Sequence, residues 1–549
     1  MTTATAPTSP AAAGTTPDRR RWLVLGVLCA SVLVVVLDGT IVNVALPTLA
    51  VDLGASTSQL QWIVDAYVLV FAGLLMAAGS LGDRVGRKGV MMIGLALFAG
   101  FSALGATADS PEVLILWRAA MGVGAALMFP ATLAILVNVF TVARQRAIAI
   151  AVWAATAGLA VALGPVTGGW LLEHFWWGSV LMINVPVVAV ALVAIAFVVP
   201  TSRDTTIERF DPLGTLLSIA GIGTLVWAVI EGPEHGWTST TSLLAFGLAA
   251  VLLGAFVAWE RTTDHPMLDV SVFANLRFTA GSVSVTFAFF ALFGFVFVVT
   301  QYFQFVRGYS ALEAGVRTVP FAVFTASTAP LAAKLAERVG TKVVVTGGLA
   351  SMATGFALAA LTSGIDTPYW VIVVVMLFLG GGLGLVQAPA TEAIMGSLPP
   401  AKAGVGSAVN DTARELGGTL GVAIVGSVFS SVYGSRLGDA LAGTPMPAEA
   451  VTIAQESVGA AEQVAQQAGA TAGPQAQTFI THAVDTSFVS GWQVGSWVSF
   501  GVVLLGALVA WRWLPARAST PVAATDVADE TDEVDEAAGA VRELVAATD

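Results

Sequence analysis

The chain has 549 residues, of which 56% are hydrophobic and 11% charged. Soluble globular domains carry about 25% charged residues, so the polar surface of a water-soluble fold is missing here, and a mean hydropathy of +0.82 assigns the apolar surface to lipid. The net charge of −12 says little about partners, because nine acids against one base after Ala518 supply −8 of it (9 − 1). That balance excludes a nucleic-acid partner.

Along the chain, Met1 to Asp18 is rich in Ala, Thr and Pro and lacks the charged start of a signal peptide, and segment 1–21 reads as a disordered cytoplasmic terminus. The apolar run that follows is too long for a signal core and is expected to stay as an anchor. Runs of about 20 apolar residues mark bilayer-crossing helices. Fourteen are expected, at 22–46, 58–80, 89–108, 112–138, 147–171, 179–200, 212–231, 241–260, 278–301, 314–333, 343–362, 369–392, 403–432 and 488–513. Most of the 24 Lys and Arg residues fall in alternate connections, including Arg84, Arg87, Lys88, Arg144, Arg146, Lys334, Arg338, Lys342 and Lys402. The positive-inside rule then places both termini in the cytoplasm.

A repeat divides the chain. Segment 79–88, GSLGDRVGRK, aligns without gaps to 333–342, AKLAERVGTK, at an offset of 254 residues. Both copies follow the second helix of a six-helix set if the seventh and eighth spans are an insert, which is the pattern of a parallel repeat. The expected organisation is an N-terminal six-helix half at 22–200, an inserted helix pair with linkers at 201–277, and a C-terminal six-helix half at 278–513. The last contains a long outer loop at 433–487, whose Ala/Gln/Glu-rich middle suits a helical hairpin. The acidic tail 514–549 lacks apolar periodicity and is expected to be disordered. Cys29, the single cysteine, reads as a packing residue.

Ionisable residues inside apolar spans are costly and mark function by default. The first span reads Leu37-Asp38-Gly39-Thr40-Ile41-Val42-Asn43-Val44-Ala45-Leu46-Pro47, with Asp38 ~24 Å along the helix from Trp22. The second holds Asp65 between Trp62 and Tyr67, whose faces suit a cation. In the loop after it, Gly82 and Gly86 permit a tight turn, while Asp83, Arg84 and Arg87 supply charge. Arg118 in the fourth span stays charged at any working pH and needs an acid partner, for which Asp38 is the candidate. The fifth span carries Gly158 and then Gly164-Pro165-Val166-Thr167-Gly168-Gly169, a proline kink flanked by close-contact glycines. The thirteenth carries Asp411, Arg414 and Glu415; the two acids are four apart and so share a face. They read either as a cation site or as a network that Arg414 neutralises. Phe287, Phe289, Phe290, Phe293, Phe295 and Phe297 read chiefly as lipid-facing filler.

The first-span motif and the glycine-basic loop, over nearly the whole length from 22 to 513, resemble the fourteen-helix drug:proton antiporters of the major facilitator superfamily. The resemblance implies an all-α integral membrane protein of two six-helix halves plus two inserted helices. It implies a proton-coupling role for Asp38 with Arg118 as its modulator, and a gating role for Gly82, Asp83, Arg84, Gly86 and Arg87. Gly158, Gly164, Pro165, Gly168 and Gly169 match the antiporter signature, which argues for export. An acid at position 65 together with Asp411 and Glu415 resembles the quaternary-ammonium exporters, with Trp62 and Tyr67 as further substrate-binding candidates. Arg414, and Thr325 where some such exporters have an aspartate, depart from that pattern.

The expected function is proton-coupled efflux of lipophilic, cationic compounds across the cytoplasmic membrane by a monomer. The expected partners are small-molecule drugs, protons and the bilayer. Two alternatives stand beside it: export of a neutral or anionic self-made antibiotic or lipid, and a sensor or scaffold that transports nothing. The sequence holds no GxxxxGK[ST] loop, no His/Cys metal cluster and no nucleophile motif, so an enzyme, a cofactor or a metal is not expected.

Overall fold

The computed structural model describes residues 18–202, 211–264, 266, 268–398 and 403–515. The expectations for most of segment 1–21 and for the acidic tail from 516 onward lie outside the described residues, as does the side chain of Asp83.

The described residues form helices and connections, with no strand among them. The first bundle contains α1 (Asp18–Asp52), α2 (Thr57–Val85), α3 (Arg87–Gly105), α4 (Pro111–Val139), α5 (Ala143–His174), the short α6 (Ser179–Met182) and α7 (Asn184–Val198). Next come α8 (Pro212–Ile230), the single turn α9 (Gly232–His235) and α10 (Thr240–Thr262). The second bundle contains α11 (Leu276–Gln301), α12 (Ala311–Val339), α13 (Thr341–Thr362), α14 (Tyr369–Met395) and α15 (Ala403–Leu441). After α16 (Ala448–Glu456) and α17 (Val458–Ala472), α18 (Pro474–Trp513) completes it. Thirteen spans are long and apolar enough to cross a bilayer, α6 and α7 counting as one, and α5 makes a fourteenth as a single span bent by 40°.

Local chemistry accounts for these elements. The bend in α5 falls just before Pro165, whose missing N–H leaves the carbonyl of residue 161 without its helical partner. Pro47, by contrast, does not end α1, which runs on to Asp52 because Leu49 and Ala50 are buried against neighbouring helices. The α15 helix likewise continues to Leu441, past the expected loop start at 433, and Gly443 follows it at φ +78°. The outer-loop segment is itself helical, as α16 and α17.

The internal repeat is longer than the ten residues that align by eye. Ser56 and Ser310, 254 apart, each close a capping box, with Gln59 and Glu313 at the third position. Both α2 and α12 have 29 residues, and both end at a glycine with positive φ, Gly86 at +128° and Gly340 at +93°. Each of these glycines donates its N–H to the carbonyl four residues back, Gly82 and Ala336 respectively, at 3.0 Å. Only glycine takes this backbone conformation without strain.

Within the first bundle, α2 and α3 pack on α4, and α1 packs on α5. Within the second, α11 packs on α15 and α13 on α14 and α18. The bundles meet through α2 against α15 and α5 against α12, while α8 leans on both α2 and α15. Arg20 donates to the carbonyls of Phe197 and Val198, Lys88 donates to that of Ala196, and the Lys342 ammonium lies 4.9 Å from the Trp511 ring centroid. These contacts define a terminal face; α16 and α17 lie on the opposite, hairpin face.

The phenylalanines of α11 are not lipid-facing filler. Phe290, Phe295 and Phe297 are buried, and Phe287, Phe289 and Phe293 pack against the core. The helix sits inside the second bundle, walled by α14, α15 and α18.

Candidate functional site

Asp38 and Arg118 meet in the first bundle. Arg118 Nη1 donates to Asp38 Oδ2 at 2.5 Å, and the two side chains are 1% and 0% exposed. Arg118 Nε donates to the Ile63 carbonyl at 3.0 Å, and the guanidinium lies 4.4 Å from the Tyr67 ring centroid. The other carboxylate oxygen of Asp38, Oδ1, accepts from Asn184 Nδ2 at 2.8 Å. An unpaired charge at this depth costs several kcal/mol; here each charge has a partner and further hydrogen bonds. On the hairpin-face side of the pair a void of about 10 Å³ is lined by Leu49, Ile63, Leu114 and Trp177 among others. That is barely room for one water, so the pair is closed off on this side.

The same side is closed between the bundles. Gln61 Nε2 donates to the carbonyls of Val422 and Ala423 and to Ser427 Oγ, at 3.1, 2.9 and 3.3 Å. A Cβ at Gly169 would meet the Ala311 carbonyl at 2.5 Å, and one at Gly315 would run into the carbonyl of Pro165. Gly164 and Gly168 press on Thr40 and Ile41 of α1, whereas Gly158 faces open space. Four of the five glycine-motif positions therefore sit at helix contacts, and Gly158 does not. Ser310 Oγ also donates to Glu173 across the bundles.

Asp65 lies one turn deeper than Gln61 on α2, fully buried, and neither of its carboxylate oxygens has a hydrogen-bond partner. Its expected aromatic flank does not form. Trp62 Nε1 donates to Glu231 Oε1 at 3.0 Å, toward the inserted helices, and Tyr67 is turned to Arg118, with its hydroxyl donating to the Val35 carbonyl at 3.4 Å. An i+2 neighbour and an i−3 neighbour point away from each other when two different helices draw them.

On α15, Asp411 accepts from Asn410 Nδ2 at 3.4 Å. Among the described residues Arg414 makes no direct ion pair with either acid, although its charge lies near enough to act on both. It turns to Thr391 Oγ1 at 3.4 Å and to the Phe289 ring, 5.4 Å from its centroid, leaving its Nε without a partner. Glu415 faces the first bundle closely enough that its charge acts on Tyr67, together with Asp38 and Arg118. Two acids and a guanidinium with one N–H unsatisfied thus border the region between the bundles.

In the α2–α3 turn, Gly82 is buried and Arg84 exposed, and the Arg87 backbone N–H donates to the Ser202 carbonyl at 3.0 Å. The turn is thereby tied to the end of α7. Among the described residues no group of three or more His, Cys, Asp or Glu side chains could hold a metal. Asn184, Ser102 and Gln61 carry no motif in the sequence; the signal for Asn184 is a lone amide in the otherwise apolar run 179–198.

Comparison with known proteins agrees with this geometry. The family description of the Major Facilitator Superfamily matches residues 28–422. The Multidrug efflux pump LfrA of Mycolicibacterium smegmatis is 39% identical over 447 residues, covering 81% of this chain and 88% of that protein. The Methyl viologen resistance protein SmvA of Salmonella typhimurium is 35% identical, with coverage of 83% and 91%. The Multidrug resistance protein Stp of Mycobacterium tuberculosis is 31% identical, with coverage of 92% and 94%. Among solved structures, a bacterial homolog of the human lysosomal transporter Spinster superposes with a TM-score of 0.61 at 17% identity, covering 92% of this chain and all of that one. A D-xylose-proton symporter superposes with a TM-score of 0.56 at 14% identity, covering 90% and 98%. A repeated six-helix bundle, a buried carboxylate–guanidinium pair and relatives that match along most of their length meet in one conclusion: the chain belongs to the Major Facilitator Superfamily, as a multi-pass membrane transporter of small molecules, of the drug-efflux kind and not an enzyme.

Proposed function

We propose that the protein exports lipophilic, cationic compounds from the cytoplasm in exchange for protons, working as a monomer in the cytoplasmic membrane with both termini inside. The observation that carries this reading is the Asp38–Arg118 pair, buried to 0% and 1% exposure. A carboxylate closed off from the hairpin side can exchange a proton with that side only when the surrounding helices move, which is what coupling requires. Arg118 is bonded to the carboxylate that would take the proton, so protonation removes the charge with which it is paired. Export is supported by the names of the relatives, and methyl viologen, in the name of one of them, is a quaternary dication. The basic side chains Arg20, Arg84, Lys88 and Lys342 on or beside the terminal face support a cytoplasmic assignment for that face.

Asp65, Asp411 and Glu415 are the cation-binding candidates, all buried or half-buried. Trp62 and Tyr67, engaged with Glu231 and Arg118, serve the walls of the site rather than an aromatic clamp on the cation. The turn residues Gly82, Asp83, Arg84, Gly86 and Arg87 are assigned to the gate on the terminal face. The test is dye efflux from energised vesicles, using ethidium as the lipophilic cation. Wild type extrudes it when a pH gradient is imposed; Asp38→Asn does not, and Asp65→Asn binds it more weakly. Gradient-driven extrusion that persists in Asp38→Asn overturns the reading.

One observation favours a second reading. Arg414 has no carboxylate on it and borders the same region. A neutral or anionic antibiotic could meet it, and one relative is a Tetracenomycin C resistance and export protein. Competition of an uncharged antibiotic against ethidium, in wild type and Arg414→Gln, separates the two.

A further inference from the structure

The structure assigns one more residue to the proton site: we infer that Asn184, held in place by Ser102, is a positioning residue that keeps Asp38 ionised in this closed form and sets the pH at which its proton leaves. The inference rests on the proposal that Asp38 carries the coupled proton.

Asn184 opens α7, one residue after α6 ends. Pro186, two residues on, has no N–H to bond the carbonyl of residue 182, so the span breaks here and an amide is placed inside the bundle. Its side chain is 1% exposed. Nδ2 has two hydrogens; it donates to Asp38 Oδ1 at 2.8 Å and to Ser102 Oγ at 3.1 Å. Ser102 spends its single hydrogen on the Leu181 carbonyl at 2.8 Å, so its lone pair is left to accept from Asn184. This fixes which way the amide points. Turned over, its oxygen would face a carboxylate oxygen and the hydroxyl lone pairs, a repulsive arrangement.

Asp38 is then held by donors on both sides, Arg118 on Oδ2 and Asn184 on Oδ1. Neither partner offers an acceptor there, since a guanidinium has none and the amide presents its nitrogen. Each oxygen keeps a second lone pair on which a proton can arrive, and its arrival cancels the charge that both donors are bonded to. Arg118 is additionally tied to the Ile63 carbonyl and the Tyr67 ring; the Asn184 amide is additionally tied to the Ser102 hydroxyl. The amide carries no charge, so its contribution is a directed hydrogen bond to the ionised form.

The other charged and titratable groups at this place are few. Arg118 comes from α4 and Tyr67 from α2, with Glu415 of α15 acting on Tyr67. Neither α6 nor α7 carries an ionisable side chain, nor does α5 between Arg146 and Glu173 or α11 after Arg277. On α12 the ionisable groups sit toward its ends, Glu313 and Arg317 at one and Lys334, Glu337 and Arg338 at the other, and Glu462 of α17 lies on the hairpin face.

The experiment measures protons released on adding ethidium to the purified full-length protein, as a function of pH. Removing a donor from a carboxylate makes the proton harder to lose, so release in Asn184→Leu is centred about 1–2 pH units above wild type. Asn184→Asp, which keeps the shape and replaces the donor with a second acid, shifts the same way. Ser102→Ala, which frees the amide to turn, shifts it upward by about 0.5 unit. If Asn184→Leu does not fold, Ser102→Ala and Asn184→Asp decide. A purely structural role lowers the amplitude at every pH and leaves the centre in place, and that result in these variants overturns the inference. Wild type that releases no proton at any pH sinks the proposed coupling instead, and Asp38→Asn, expected to release none, marks the site of release.

Discussion

Asp38 and Arg118 pair their charges where water is excluded, so removing one partner differs sharply from removing both. Arg118→Leu leaves a buried carboxylate with only Asn184 on it and is expected to cost about 3–5 kcal/mol of stability. The double variant Asp38→Asn with Arg118→Gln leaves no charge behind and is expected to recover most of that loss. Thermal unfolding of the purified variants in detergent reads both, and equal destabilisation by the single and double variants would contradict the pairing. Asp65 poses the opposite case. Its oxygens have no partner, so Asp65→Leu is expected to be neutral or stabilising by about 1–3 kcal/mol while weakening ethidium binding. Glycine matters at Gly86 and Gly340 through φ values of +128° and +93°. Gly86→Ala is expected to cost about 1–3 kcal/mol by backbone strain, whereas Gly89→Ala, three residues on, where a Cβ would meet nothing within 4 Å, is expected to cost nothing measurable.

At the scale of elements, the closed side depends on how closely α5 approaches α12. Gly169 and Gly315 each sit on the backbone of the opposite helix, and a backbone cannot step aside as a side chain can. Gly315→Val is therefore expected to prevent closure on the hairpin face. In a Cys29→Ser background, a cysteine placed at Ser427 next to Gln61 should become reactive to a water-soluble maleimide in the Gly315→Val protein and stay protected in its absence. Gly158→Val, which meets open space, is the control and should leave protection unchanged. The repeat makes these contacts intelligible. Positions 61 and 315 are 254 apart on the equivalent helices α2 and α12, so Gln61 against α15 and Gly315 against α5 are the two pseudo-equivalent seams of one closure, one sealed by hydrogen bonds and the other by close packing.

Over the whole molecule, the hairpin of α16 and α17 ties the two bundles on one face. Thr57 Oγ1 donates to the Glu456 carbonyl and Ser457 Oγ to that of Ala55, at 3.1 and 3.0 Å. Beneath it, burial and the nearby charge of Asp485 push Glu462 up to about 7. A carboxyl raised from 4.5 binds more protons in the docked state than in the free one, so docking is strongest below about pH 4.5 and weakens as pH rises to about 7. The protection of α17 amides, taken relative to their intrinsic exchange at each pH, should accordingly be greater at pH 5 than at pH 8, and Glu462→Gln should shrink the difference. The spans, the doubled architecture, the deep acids and the turn glycines were all legible from residue order, because bilayer thickness, helix pitch and glycine's backbone freedom act locally on the chain. The repeat was legible only at its basic end, since capping and helix length are conserved between the halves while side chains such as Asp65 and Val319 are not. What tertiary packing alone decided was direction: Trp62 toward the insert, Tyr67 onto Arg118, Arg414 away from its neighbouring acids, and Asn184 onto Asp38. A helix periodicity gives the face a residue occupies, but which neighbouring helix supplies the stronger partner on that face depends on contacts between separate helices, 169 residues apart for Trp62 and Glu231 and 146 for Asn184 and Asp38, and those exist only once the bundle is assembled.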